Sequence, residues 1–307
     1  MTTLSVEKGR ELVINWHVTE ACNYTCRYCY AKWQHAKSIR ELIHDQEGSR
    51  RLLSEIYSYF SPENEANPLR REMSWSSVRL NLAGGEPFLY GKRIVETIEV
   101  ARELGFAVSI ISNGSRLSTS VLTDIAPHLS VLGISLDSGC EQTNREIGRI
   151  DKKEGALPIQ DLVSRLVLAK QLNPELKLKL NTVVNSKNWL EDMSEVVSRL
   201  APEKWKVLRM LPTVTDDLAV SEKEFQSFVL RHQFLGTIMC VEDNVDMAES
   251  YLMIDPHGCF FQNSLGRKGY DYSPRILEVG AAAAFAHIGL SVSKFTSRYP
   301  AIQGGLV

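Results

Sequence analysis

The chain has 307 residues, 44% hydrophobic and 23% charged, enough apolar material for one large α/β domain or two small ones. A formal net charge of −2 gives no global attraction to nucleic acid or to an anionic membrane, so an anionic ligand must be held by local basic residues. No apolar run reaches the ~18 residues of a membrane span, and MTTLSVEKGRELVINWHV lacks the apolar core of a signal peptide and the face of an amphipathic anchor; the expectation is a cytoplasmic protein with reduced thiols.

Strand-like and helix-like runs alternate along the chain. LVINWHV (12–18) reads as a strand and SRRLLSEIYSYF (49–60) as a helix. VRLNLA (78–83) is a strand ending at Gly84-Gly85, KRIVETIEVAREL (92–104) is helical, and FAVSIIS (106–112) is a strand stopped by Asn113-Gly114. A helix over 117–126 precedes the strand VLGISL (131–136). IQDLVSRLVLAKQL (159–172) is helical, LKLKLNTVV (176–184) a strand, 190–200 a helix and KWKVLRML (204–211) a strand. Six such strand–helix units imply parallel βαβ connections, and the expected fold class is α/β, a partial (β/α)6 barrel over 1–212. The pattern then changes. SEKEFQSFVLRHQFL (221–235) is helical, 250–255 and 259–263 form a hairpin around Pro256-His257-Gly258, and PRILEVGAAAAFAHI (274–288) reads as a last helix. Residues 213–307 are therefore expected to be an extension covering one end of the barrel.

CNYTCRYCY places Cys22, Cys26 and Cys29 in a loop after the first strand, spaced C-x3-C-x2-C. Three thiolates suit three corners of a [4Fe–4S] cubane, which normally takes four, and leave one iron open for another ligand. The plainer alternatives are a zinc site completed by His17 or His35, and inert buried cysteines; zinc motifs favour C-x2-C pairs, and inert cysteines rarely cluster. Cys140, Cys240 and Cys259 are isolated, too few for a second four-thiolate cluster, and read as small buried hydrophobes.

Residues two apart share a strand face. Asn15 and His17 oppose Ile14, Trp16 and Val18; Arg79 and Asn81 oppose Val78, Leu80 and Leu82; Lys177, Lys179 and Asn181 oppose Leu176, Leu178 and Leu180; Lys204 and Lys206 oppose Trp205 and Val207. With the apolar faces on the helices, the polar faces point into the barrel. Unpaired buried cations are costly, so the interior is expected to be a cavity for a strongly anionic, hydroxyl-rich ligand such as a nucleoside triphosphate. Lys177 and Lys204 alternatively reach solvent at their strand ends.

The cysteine spacing with Tyr28 before the last cysteine resembles the signature of the radical S-adenosylmethionine (SAM) superfamily. NLAGGEP (81–87) resembles its Gly-Gly-Glu-Pro element (Gly84, Gly85, Glu86), whose backbone edge holds the SAM amino group. Ser112-Asn113 of SNG and ISLDS (134–138) sit at strand ends as in those barrels. That resemblance implies SAM chelated at the open iron and cleaved by one electron to methionine and a 5′-deoxyadenosyl radical.

Over 12–300 the chain is further similar to the viperin family. INWHVTEACNYTCRYCY, LNLAGGEPFL, VSIISNGS, ISLDS, EIGR, KLNTVVN, WKVL and DMAESYLMID follow that family's order. The resemblance implies a dehydratase: the radical takes the ribose 4′ hydrogen of CTP, UTP or GTP, the 3′ hydroxyl leaves as water, and one electron and a proton finish a 3′-deoxy-3′,4′-didehydro nucleotide that terminates viral RNA chains. Carried over by position, Asn15 and His17 contact ribose and phosphate, and Arg79 replaces a phosphate-binding lysine. Lys179, Lys204 and Lys206 hold the triphosphate, with Lys204 where mammalian members have arginine, and Asn181 holds a ribose hydroxyl. Ser135 and Arg149 hold the SAM ribose and carboxylate, and Tyr251 matches a tyrosine near the reacting carbon, a candidate proton or hydrogen donor. The implied partners are the nucleotide and a flavodoxin- or ferredoxin-type electron donor, with no direct nucleic acid or membrane, and the expected state is a monomer. The chain departs from animal members in lacking their amphipathic N-terminal helix and Trp-ending tail. Radical SAM chemistry on a peptide or a modified-base precursor, and a non-enzymatic zinc regulator, are the competing readings.

Overall fold

The computed structural model describes residues 10–32, 40–264 and 268–299. His35, the first nine residues and 300–307 of the tail lie outside the described residues.

Six parallel strands lie side by side in chain order: β1 (Glu11–His17), β2 (Ser77–Ala83), β3 (Ala107–Ser112), β4 (Val131–Ser135), β5 (Lys177–Val184) and β6 (Lys204–Arg209). Helices α1 (Gln46–Phe60), α2 (Gly91–Glu103), α3 (Thr119–Ile125), α4 (Glu141–Ile147), α5 (Ile159–Leu172) and α6 (Ser194–Leu200) make the crossovers. After α7 (Glu222–Arg231), β7 (Met239–Glu242) adds in parallel to β6. Past α8 (Asn244–Met247), β8 (Leu252–Ile254) adds in parallel to the opposite side, on β1, and β9 (Cys259–Gln262) and β10 (Asp271–Arg275) continue antiparallel. The order is β10-β9-β8-β1-β2-β3-β4-β5-β6-β7. The segment after 212 thus extends both sheet edges.

The apolar strand faces pack as their periodicity requires. Ile14, Trp16, Leu80, Leu82, Leu180, Trp205 and Val207 are buried with Leu52, Leu53, Ile56 and Phe60 of α1, the Asp45-capped helix. Each such side chain contributes about 1.5–3 kcal/mol of apolar burial. The sheet curls with its polar face inward, because Lys206 on β6 reaches Tyr251 beside β8, at 2.6 Å, although six strand positions separate them.

The expected single helix over 274–288 is replaced by β10, α9 (Ile276–Val279) and α10 (Ala281–Phe285), broken at Gly280 with φ +82°. α4, β7, β10 and α11 (Val292–Arg298) had no periodic signal long enough to read. Cys259 is buried as expected, but Cys140 is exposed at the start of α4 and Cys240 half-buried on β7. No described helix is long and apolar enough to cross a membrane.

Candidate active site

The loop after β1 is pinned on three sides. Gly85 and Glu86 donate their N–H groups to the Thr19 and Ala21 carbonyls at 2.7 and 2.8 Å. Glu41 accepts from Thr19 Oγ1 and from the Glu20 N–H, both at 2.7 Å. The end of α4 accepts from Thr25 and Arg27 at 3.1 and 2.9 Å. Two glycines make these approaches: a Cβ on Gly85 would lie 2.0 Å from the Ala21 oxygen, and one on Gly148 2.4 Å from the Thr25 oxygen. The EIGR segment is thereby explained. Gly148 ends α4 with φ +85° against the loop, and Arg149 turns inward.

Cys22, Cys26 and Cys29 border one cavity, about 820 Å³ with its mouth, together with Gly84, Gly85, Ser112, Asn113, Ser135 and Arg149. Arg149 is buried, donating from Nη1 to Cys26 Sγ at 3.8 Å and Tyr28 Oη at 3.1 Å, and from Nη2 to the Ser135 carbonyl at 2.5 Å. Burial is the largest single influence and opposes its charge, but Asp137, 3.5 Å from Nε, together with Tyr28 and Cys26 outweighs it and holds its pKa above the ordinary range. Tyr28 donates to the same carboxylate. Burial pushes the Cys26 thiol up to about 12, so a metal must replace its proton for the sulfur to carry charge. Glu86 does not line this cavity. It lies beneath, accepting from Asn113 N–H at 2.7 Å, Ser112 Oγ at 2.9 Å and Phe88 N–H at 3.2 Å, and burial raises its pKa to about 7. It ties β2 to β3 and aims Asn113, whose Nδ2 is 3.9 Å from Cys22 Sγ.

A second cavity, about 890 Å³ with its mouth, shares Tyr28, Tyr30, Ala83, Asn181, Val183 and Leu208 with the first. Asn15, His17, Lys179, Lys206 and Tyr251 also line it. Burial lowers His17 to about 4, so the imidazole is neutral. The cations differ in their pairing. Lys206 meets Glu242 at 2.5 Å and donates to Tyr251 Oη; Arg79 meets Glu11 at 2.5 Å and Ser109 Oγ at 2.9 Å, away from the cavity wall. The expectation of several unpaired cations is therefore corrected for these two. Lys179 fits it: among the described residues its Nζ has no hydrogen-bond partner, and burial with Lys206 and Arg79 nearby pushes its pKa well down. Lys204 is half-buried beside Lys179 across the β5–β6 pair, outside the cavity wall, and Lys177 is exposed. Asn15 is engaged with the Leu252 carbonyl at 3.1 Å and Asn81 at 2.9 Å, whereas Asn181 Oδ1 is buried without a partner among the described residues.

Sequence reasoning missed Glu242, Arg298 and Asn263. Glu242 accepts from Arg298 Nε and Nη2, each at 2.9 Å, and from the Tyr251 hydroxyl; the Arg298 guanidinium lies 3.9 Å from the Tyr251 ring centre. The only sequence signal was one carboxylate closing the otherwise uncharged run MCVE.

A family model described as the Radical SAM superfamily matches residues 16–166. An S-adenosylmethionine-dependent nucleotide dehydratase of Pseudoalteromonas ulvae is 45% identical over 96% of this chain and 94% of its own length. The chain belongs to this nucleotide dehydratase family. A second member, from Psychrobacter lutiphocae, is 41% identical, covering 95% of each chain. The solved structure described as native anSMEcpe with bound AdoMet shares the fold, with TM-score 0.62 and 14% identity over 94% of this chain and 82% of that one. The resemblance to viperins is thus borne out. As a radical SAM enzyme the dehydratase works with a [4Fe–4S] cluster and SAM and needs an electron donor. The residues fit that pair. His17 lines the neighbouring cavity and not the one bordered by the three cysteines, which does not suit a zinc site completed by His17. Three cysteines bordering one cavity suit a group that takes one thiolate at each of several irons. Arg149 supplies a buried positive charge beside them.

Proposed function

We propose that this dehydratase removes water from a ribonucleoside triphosphate, CTP, UTP or GTP, to give the 3′-deoxy-3′,4′-didehydro analogue, an antiviral chain terminator. The observation carrying the reading is Lys179, a half-buried cation that among the described residues has no hydrogen-bond or ion-pair partner, in a cavity that shares a wall with the cysteine cavity. An anionic substrate would supply what Lys179 lacks, and Asn181, which lines both cavities, supports a ribose held beside the first one. When bound, the cluster and SAM supply a 5′-deoxyadenosyl radical that takes the ribose 4′ hydrogen. The 3′ hydroxyl then leaves with a proton as water, and one electron completes the double bond.

In this reading Lys179 and Lys206 hold the phosphates, with Lys204 and Arg79 adding positive field from behind the wall. Asn181 Oδ1 accepts from a ribose hydroxyl, and Asn15 and neutral His17 flank the sugar. Tyr251 stands at the reacting carbon with Lys206 and Glu242 on its hydroxyl, a route for one proton. Gly84, Gly85, Ser112, Asn113, Ser135 and Arg149 hold SAM while Glu86 braces them, and residues 213–307 close the nucleotide site over the 1–212 barrel. The protein acts as a cytoplasmic monomer reduced by a flavodoxin or ferredoxin.

The test is anaerobic: reconstituted enzyme, SAM and dithionite with CTP, UTP, GTP or ATP, following 5′-deoxyadenosine and nucleotide mass. One nucleotide that stimulates deoxyadenosine and loses the elements of water is the expected result. Equal slow deoxyadenosine with all four and no mass change sinks the proposal.

A further inference from the structure

The nucleotide cavity has two kinds of wall. Lys179, Lys206, Asn15 and Tyr251 form a polar stretch inside the curled sheet. A second stretch, from chain lying beyond strand ends, is made by Leu211, Met247 and Tyr270 and is apolar except for Arg209 and Asn263. Arg209 is already engaged, donating from Nε to the Val220 carbonyl and from Nη1 to Asp243, both at 3.1 Å. Asn263 is not. Its carbonyl accepts the Glu249 N–H at 3.1 Å and its N–H reaches Gln262 Oε1 at 3.3 Å, which fixes the backbone. Among the described residues its side-chain amide has no hydrogen-bond partner, although the residue is only 5% exposed and lines the cavity.

An amide that lines a cavity with no protein partner is left to water or to a ligand that supplies a donor and an acceptor. Phosphate offers acceptors alone. A planar, uncharged group with hydrogen-bonding atoms on its edge and apolar faces fits both the amide and the walls around it. We propose that Asn263 hydrogen-bonds the edge of the substrate's nucleobase, with Leu211, Met247 and Tyr270 packing around the ring. This rests on the nucleotide reading above and places the base against the stretch of wall that carries no free cation. The amide can present its oxygen and nitrogen in either order, so Asn263 anchors a base edge, while the apolar walls set the size of base admitted.

The test is equilibrium binding to anaerobically reconstituted enzyme, with the best of the four nucleoside triphosphates, ribose 5-triphosphate and inorganic tripolyphosphate as probes. Asn263→Ala is expected to weaken the nucleoside triphosphate about tenfold and leave both base-free probes unchanged. Asn263→Ser serves where the alanine variant does not fold, with the same expectation. An unchanged nucleotide affinity, or an equal loss for all three probes, overturns the assignment of Asn263 alone. Wild-type enzyme that binds none of the probes overturns the nucleotide reading as well.

Discussion

Arg298 grips Glu242 through two hydrogen bonds of 2.9 Å, although 56 residues separate them. Arg298 comes from α11 and Glu242 from the sheet edge at β7. The carboxylate also takes Lys206 at 2.5 Å and the Tyr251 hydroxyl, so one buried anion sets two cations and a phenol at the back of the cavity.

Glu242→Gln should therefore destabilise the fold by about 3 kcal/mol, because breaking a buried pair leaves Lys206 and Arg298 facing each other uncompensated. Chemical denaturation measures this. A loss below about 1 kcal/mol would mean the cluster is well solvated.

Lys206 makes binding depend on pH. Burial, opposed by Glu242, lowers it from 10.5 to about 8. A cation with a lowered folded pKa binds fewer protons in the fold than in the unfolded chain between those values. Its contribution to stability therefore rises with pH from about 8 to 10.5, while the charge that attracts phosphate disappears. Tripolyphosphate affinity should fall above about pH 8, and Lys206→Arg should move that fall to higher pH. A profile unchanged by the arginine would place the titrating group elsewhere.

Lys179 sets stability against function. Lys179→Met removes a half-buried charge that has no partner among the described residues, and is expected to stabilise the nucleotide-free fold by about 1 kcal/mol while weakening triphosphate binding at least tenfold. Thermal unfolding with and without tripolyphosphate reads both effects; a melting temperature that falls contradicts the buried-cation account.

Gly85→Ala forces a Cβ to within 2.0 Å of the Ala21 oxygen, so the cysteine loop must move. Iron bound after reconstitution should drop by at least half, with the circular dichroism of the barrel unchanged. Full iron content would show that the loop gives way without disturbing the cysteines.

Cys26→Ala leaves two thiolates and should abolish both the absorbance near ~400 nm and SAM cleavage. Lys206→Ala should keep the absorbance and lose only the stimulation by nucleotide. A Lys206→Ala enzyme still stimulated like wild type at low nucleotide would refute its place at the phosphates.

Short-range order was legible in the residues themselves. Alternating periodicity placed all six barrel strands to within a residue or two of their ends, and the 250–263 hairpin, because burial of one strand face is a local pattern. The cysteine spacing and the two glycines of NLAGGEP likewise carried the cluster loop, since loop chemistry is written in consecutive residues. The short elements β7, β10 and α11 were not legible, and Gly280 split the helix read over 274–288. Above all, the alternation of Lys179 with Leu178 and of Lys206 with Trp205 told which cations face inward, but not which of them lack a partner. Strand pairing and the curl of the sheet decided that. Pairing set Glu11 of β1 beside Arg79 of β2 and Glu242 of β7 beside Lys206 of β6, the curl brought Tyr251 to Lys206, and among the described residues no carboxylate lies within bonding distance of Lys179, because ion pairing depends on proximity in space, which no local repeat encodes.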